Sequence, residues 1–150
     1  MELKVPQTIE IEHEELHEEL ARAMKAGGKT GEAARAVMKV LQPHMAREEE
    51  FVLPALALLG PLAAGGFSPE MAPVLAKVEA FRAELPRMLA EHASIVTTLR
   101  SLMQAATEEQ QAGCSRFAQK LIVHAQGEEE ILYPAALLVG ELLKAKLGRS

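Results

Sequence analysis

The sequence holds no Asp, no Asn and no Trp, and only one Cys and one Tyr. Each shortage excludes something. With Cys114 alone, neither an internal disulfide framework nor a four-Cys zinc site can form. Without Asn or Asp, the Asn-Gly and Asp-Gly turns of tight β-hairpins cannot occur. Aromatic residues make up 3%, so the core must come from Leu, Ala, Val and Met. No apolar run approaches the roughly 20 residues of a membrane span. The N-terminal MELKVPQTIEIEHEEL carries no secretory apolar region. Positive charge is not in excess: 16 basic against 21 acidic residues leave a net charge of −5. That argues against a nucleic-acid or anionic-membrane binder. The expectation is a soluble cytoplasmic protein.

What is present favours helix. All 21 acidic residues are Glu, and Ala, Leu, Lys, Arg and Met are abundant. These are the strongest helix formers. A chain of 150 residues suits one domain, 1–150, and is long enough to bury a core without staples.

Gly and Pro divide the chain into four helical stretches. The first runs from Thr8, a candidate N-cap, to Lys25, and Gly27-Gly28 ends it. The second runs from Thr30 to Leu59, with bends expected at Pro43 and Pro54. Gly60–Pro69 reads as the one long loop. The third spans Glu70 to Ala106, with Pro86 expected to divide it. The fourth spans Glu108 to Leu147, kinked at Pro134 and weakened at Gly140.

An internal repeat is the most informative feature. HMAREEEFVLP (His44–Pro54) aligns without a gap on HAQGEEEILYP (His124–Pro134). Upstream, Glu12-His13 corresponds to Glu91-His92. His13 and His44 are 31 residues apart, and His92 and His124 are 32 apart. The chain therefore reads as two helix pairs related by a pseudo-twofold, which predicts an all-α, antiparallel up-down four-helix bundle.

Each stretch carries at least one of the five histidines, His13, His17, His44, His92 and His124. Glu48 follows His44 by four residues, and Glu128 follows His124 by four. On a helix, that spacing puts the two side chains about 40° apart and one turn along, so both can reach one site. Leu20, Phe51, Leu99 and Ile131 lie seven residues after a repeat histidine and continue the same stripe into the core. Phe51 and Ile131 are expected to line the site. A single His–Glu pair is ordinary in so Glu-rich a chain, where it reads as a surface ion pair. The duplicated spacing is not ordinary. Burying this many imidazoles and carboxylates without a partner would cost several kcal/mol, and a metal cluster removes that cost.

Imidazole and carboxylate donors without thiolate suit iron or manganese, with zinc as a substitute. The ferritin-like plan needs Glu-x-x-His on two helices. Here Glu10–His13 and Glu14–His17 both fall on the first stretch, so that plan fails. The other residues carry weaker signals. Tyr133 lies nine residues after His124, half a turn from the ligand face, and no redox role is expected for it. Gly127 is read as allowing close packing. Glu49-Glu50 and Glu129-Glu130 are read as solvated faces or as acceptors for imidazole N–H groups. Cys114 is read as an incidental thiol.

The order His, His-x-x-x-Glu, His, His-x-x-x-Glu, with E-E-x-x-x-P trailing each motif, resembles the hemerythrin-like (HHE cation-binding) domain family from about Ile9 to Pro134. The resemblance implies a di-iron centre with an oxo or hydroxo bridge, bridged by Glu48 and Glu128. It implies His13 and His44 on one iron and His92 and His124 on the other. His17 departs from the repeat, where Val96 is its counterpart. If His17 binds, one iron has three imidazoles and the other keeps an open position, which suits reversible binding of O2.

The leading expectation is a carrier, store or sensor of O2. The alternatives are a redox enzyme acting on peroxide or NO, and an iron-handling or regulatory domain. A homo-oligomer or a redox partner is compatible with each. The apolar Ala135–Leu147 could pack on the bundle or on a second subunit.

Overall fold

A computed structural model describes residues 1–149. The order is α1 (Gln7–Met24), α2 (Gly28–Phe51), α3 (Leu53–Leu56), α4 (Leu59–Ala63), a 3-10 turn at Pro69–Met71, α5 (Ala72–Glu108), α6 (Ala112–Gly127), a π-helical turn at Glu128–Leu132, and α7 (Tyr133–Lys146). No strand occurs among the described residues. No helix among them is long and apolar enough to cross a membrane.

The elements form a helical bundle. α1 packs against α2 and α6, α2 packs against α5, and α5 packs against α6. Their apolar residues recur at helical spacing, as Leu16, Leu20 and Ala23 do on α1 and Ile95, Leu99 and Leu102 on α5. The apolar tail docks back through α7, which buries Ala136, Val139 and Leu143 against α5 and α3. A Cβ on Gly140 would stand 2.5 Å from Val78 Cγ1, so α7 meets α5 where only glycine fits.

The break expected in the second stretch falls beside Pro54, between α2 and α3, while Pro86 does not divide its helix as expected. α2 runs through Pro43 and α5 runs unbroken through Pro86. Both prolines are exposed, so water can satisfy the carbonyl that each leaves without an N–H partner. Pro54 sits at the start of α3, where its missing N–H is an orphan anyway. The long loop is shorter than Gly60–Pro69, because α4 takes up its first half. α1 starts one residue early at Gln7, after Pro6, and Thr8 makes no capping bond. α5 and α6 are separated at Gln110, whose φ of 58° no helix accepts.

The start of α2 is capped from a distance. Glu109 accepts hydrogen bonds from Lys29 N (3.2 Å), Thr30 N (2.6 Å) and Thr30 Oγ1 (2.6 Å). Gly28, at φ +55°, leaves room for that carboxylate: a Cβ there would lie 2.4 Å from Glu109 Oε2.

The core divides into two apolar clusters. One holds Val52, Val78, Phe81, Met88, Tyr133 and Leu143. The other holds Leu16, Leu20, Val37, Leu41, Ile95, Leu99, Phe117 and Leu121. On α2, α5 and the α6–α7 segment, the buried His and Glu residues fall between the two.

Candidate metal centre

His44 and Glu48 come from α2, His92 from α5, and Glu128 from the first position of the π turn; each is 5% exposed or less. One donor atom of each falls within 4.8 Å of all the others. His13 of α1, His124 of α6 and Glu128 form a second group of the same kind, and the first two are half-buried. Glu128 thus belongs to both groups.

The distances are those of donors facing one another. His44 Nε2 lies 2.9 Å from Glu48 Oε1. His92 Nε2 lies 3.3 Å from Glu128 Oε1 and 3.7 Å from Glu48 Oε1. His124 Nε2 lies 3.3 Å from Glu128 Oε2. The rings stay close, with centroids 4.4 Å apart for His44 and His92 and 5.4 Å for His13 and His124.

Three carboxylates outside the groups hold the far nitrogens. His44 Nδ1 meets Glu91 at 3.3 Å, His92 Nδ1 meets Glu129 at 3.0 Å, and His124 Nδ1 meets Glu12 in a short hydrogen bond. Arg47 pairs with Glu91 in turn. An Nδ1–H donated outward leaves Nε2 free to present a lone pair inward. Glu129 fits the sequence reading of an imidazole acceptor. Glu12 and Glu91 stood in the sequence only as repeat markers, and the pairing of each with a histidine on another helix is not visible there.

The charges respond to this crowding. Burial disfavours the ionised form of Glu48, but hydrogen bonds with His44 and His92 overcome it and hold its carboxyl well below the usual range. Burial likewise opposes a charged His92, yet hydrogen bonds with Glu128 and Glu48 push it up to about 10. His124 is pushed up to about 9 against burial, by its hydrogen bond and charge interaction with Glu128, then by Glu12. His13 Nε2 is buried and has no hydrogen-bond partner. An orphaned imidazole nitrogen beside a carboxylate and a second imidazole fits a missing cation.

A small cavity of about 20 Å³ adjoins the donors. Leu16, Leu41, Met45, Ile95, Leu121 and Ala125 form its apolar wall. That volume suits one very small molecule.

The donor groups bring His44 to His92 and His13 to His124, whereas the resemblance implied His13 with His44 and His92 with His124 on one iron each. His17 lines the cavity, is exposed, and lies outside both groups. The readings of the lining and of Gly127 need correction. Phe51 packs into the first apolar cluster and does not line the cavity, and Ile131, 66% exposed, lies outside it in an open groove beside His124 and Glu128. A Cβ on Gly127 would meet open space, so close packing does not explain this glycine.

The largest difference is Tyr133, which is buried inside the site. Its hydroxyl donates a short hydrogen bond to Glu48 and lies 3.2 Å from His44 Nε2 and 3.1 Å from His92 Nε2. The cause is the π turn at Glu128–Leu132. Its wider turn rotates the residues that follow, which carries Ile131 outward and Tyr133 inward. Burial, then the charges of Glu48 and Glu128, push the phenol well above its usual range, so it stays protonated in the metal-free chain.

A family model described as the Hemerythrin HHE cation binding domain matches residues 5–136. No curated protein and no solved structure is a significant match.

Proposed function

The chain belongs to the hemerythrin HHE cation-binding domain family, and on that premise we propose that it holds two iron ions and binds O2 as a carrier, store or sensor. The ligands in this reading are His13, His44, His92 and His124, with Glu48 and Glu128 bridging and His17 as the fifth imidazole. The observation that carries it is the buried, unpartnered Nε2 of His13 beside His124 and Glu128. Iron, joined by an oxo or hydroxo bridge, would supply redox-active positions open to a diatomic ligand; manganese or zinc could replace it.

The chain's own part is to orient and to exclude. Glu12, Glu91 and Glu129 fix three imidazoles with Nε2 inward. The apolar cavity wall keeps bulk water and charged solutes from the donors, and admits a small neutral molecule. His17, at the exposed edge of that cavity, must turn inward to join the set.

The bundle is read as antiparallel and up-down, with a pseudo-twofold relating α1–α2 to α5–α6. Two observations support this. α2 and the α6–α7 segment run from the second apolar cluster to the first, while α5 runs the other way. The bonds His44–Glu91 and His124–Glu12 also exchange between the halves in matching fashion.

The test is anaerobic reconstitution with ferrous iron, a metal count, and visible spectra through cycles of air and argon. Two irons per chain and a colour that comes and goes with oxygen are expected. Two irons that oxidise once and stay oxidised would instead support a redox enzyme acting on peroxide or NO, or an iron-handling role. No iron uptake would overturn the reading.

A further inference from the structure

We propose that the phenol oxygen of Tyr133 is itself a metal ligand, completing the donor set of His44, Glu48, His92 and Glu128. The inference rests on the two-metal reading above and adds a donor that its His/Glu set does not contain.

Geometry carries it. Adjacent donors around one ion, at bond lengths of about 2.1 Å, stand roughly 3.0–3.4 Å apart in octahedral or tetrahedral arrangements. The phenol oxygen lies 3.2 Å from His44 Nε2 and 3.1 Å from His92 Nε2. His44 Nε2 lies 2.9 Å from Glu48 Oε1, and His92 Nε2 lies 3.3 Å from Glu128 Oε1. The phenol oxygen keeps the same spacing from both imidazole nitrogens, and its shorter contact with Glu48 is a hydrogen bond whose proton a cation would replace.

Glu91 and Glu129 hold the Nδ1 atoms of His44 and His92, so the Nε2 atoms of both rings face the phenol oxygen and the Glu48 carboxylate. A cation among these atoms would displace the protons they share and take a lone pair from each. The ring is also held in place. Tyr133 is 2% exposed, stacks near-parallel to the His92 ring at 5.4 Å, and meets the edge of Phe81 at 5.1 Å. It does not line the apolar cavity, so an incoming small molecule and the phenol need not compete for one space. Phenolate is a hard anionic donor that suits ferric iron. When it binds, the O–H bond breaks, the proton leaves to solvent and an oxygen–metal bond forms; no electron moves.

The chain has one Tyr and no Trp, so every tyrosine signal reports on Tyr133. The metal-free protein is titrated with Zn(II) and, separately, with Fe(III) as its citrate complex, and bound metal is counted. With Zn(II), the ultraviolet difference spectrum of one tyrosinate is expected. With Fe(III), a visible phenolate-to-iron band with resonance-enhanced tyrosine ring modes is expected. Tyr133→Phe, which keeps the ring and its packing, should bind metal and lose both signals. Metal bound to the unaltered chain without either signal would overturn the assignment while leaving the metal centre standing. A visible band that persists in Tyr133→Phe would overturn it too. Failure of the unaltered chain to bind either metal would overturn the centre and this ligand together.

Discussion

Glu91 holds the Nδ1 of His44 at 3.3 Å, although the histidine next to it in the chain is His92. The support of one imidazole therefore comes from a different helix, α5, and is anchored there by Arg47 of α2. Removing such an outer carboxylate weakens metal binding by about 10–100-fold in comparable sites. Glu91→Ala should do the same here with its helical content intact. Competition against a chelator of known affinity measures it, and an unchanged affinity would mean that Glu91 serves only its ion pair with Arg47.

His44→Ala and His124→Ala each remove one imidazole, from different donor groups. Each variant should lose at least one of two bound metals by elemental analysis. Full occupancy in both would sink the assignment of the centre.

Glu109 gives the bundle an acid-sensitive joint. Hydrogen bonds from the Thr30 side chain, then from the Thr30 and Lys29 backbone N–H groups, hold its carboxyl below the usual range. A group depressed on folding stabilises above its unfolded pKa of 4.5, and that stability is lost as pH falls through the lower folded value. Glu109→Ala should thus melt below the parent at neutral pH, and the gap should close in acid. A gap that is constant with pH would contradict the charge-based cap.

Gly140→Ala places a Cβ 2.5 Å from Val78 Cγ1. Overpacking of this kind destabilises by about 1–3 kcal/mol. Denaturant unfolding should register the loss, and Val78→Ala in the same chain should restore part of it. Additive losses would show that the two helices do not meet there.

Ile131→Ser separates the two registers of the motif. At 66% exposure the change should leave stability within about 0.5 kcal/mol and metal content unaltered. A loss of metal would return Ile131 to the wall of the site.

Much of this candidate site is legible in the sequence. The histidines on four stretches, the two His-x-x-x-Glu motifs and their apolar continuation led to the four buried residues His44, Glu48, His92 and Glu128. Helical periodicity carries such information, because side chains three, four and seven apart share a face. It fails where the period changes. The π turn at Glu128–Leu132 has no marker in composition, so counting at the α-helical angle sent Tyr133 away from the site and Ile131 into it. Partners on other helices are also hidden. Glu12 and Glu91 could be seen to repeat, but which imidazole each would hold depends on how the helices dock. Pro86 misled for a related reason: whether a proline breaks a helix depends on which face it occupies, and Pro86 faces water.

The donor layer lies between two apolar clusters, so on the proposed reading bound metal would couple their folding. Each cluster buries its own side chains, and α2 and α5 thread both. The cross-section between them holds buried carboxylates and imidazoles instead of hydrocarbon, and local opening should start there. Ions bridging Glu48 and Glu128 would fasten the two halves into one unit that melts in a single step. The ions proposed to hold a small molecule would then also decide whether the chain unfolds as one body or as two.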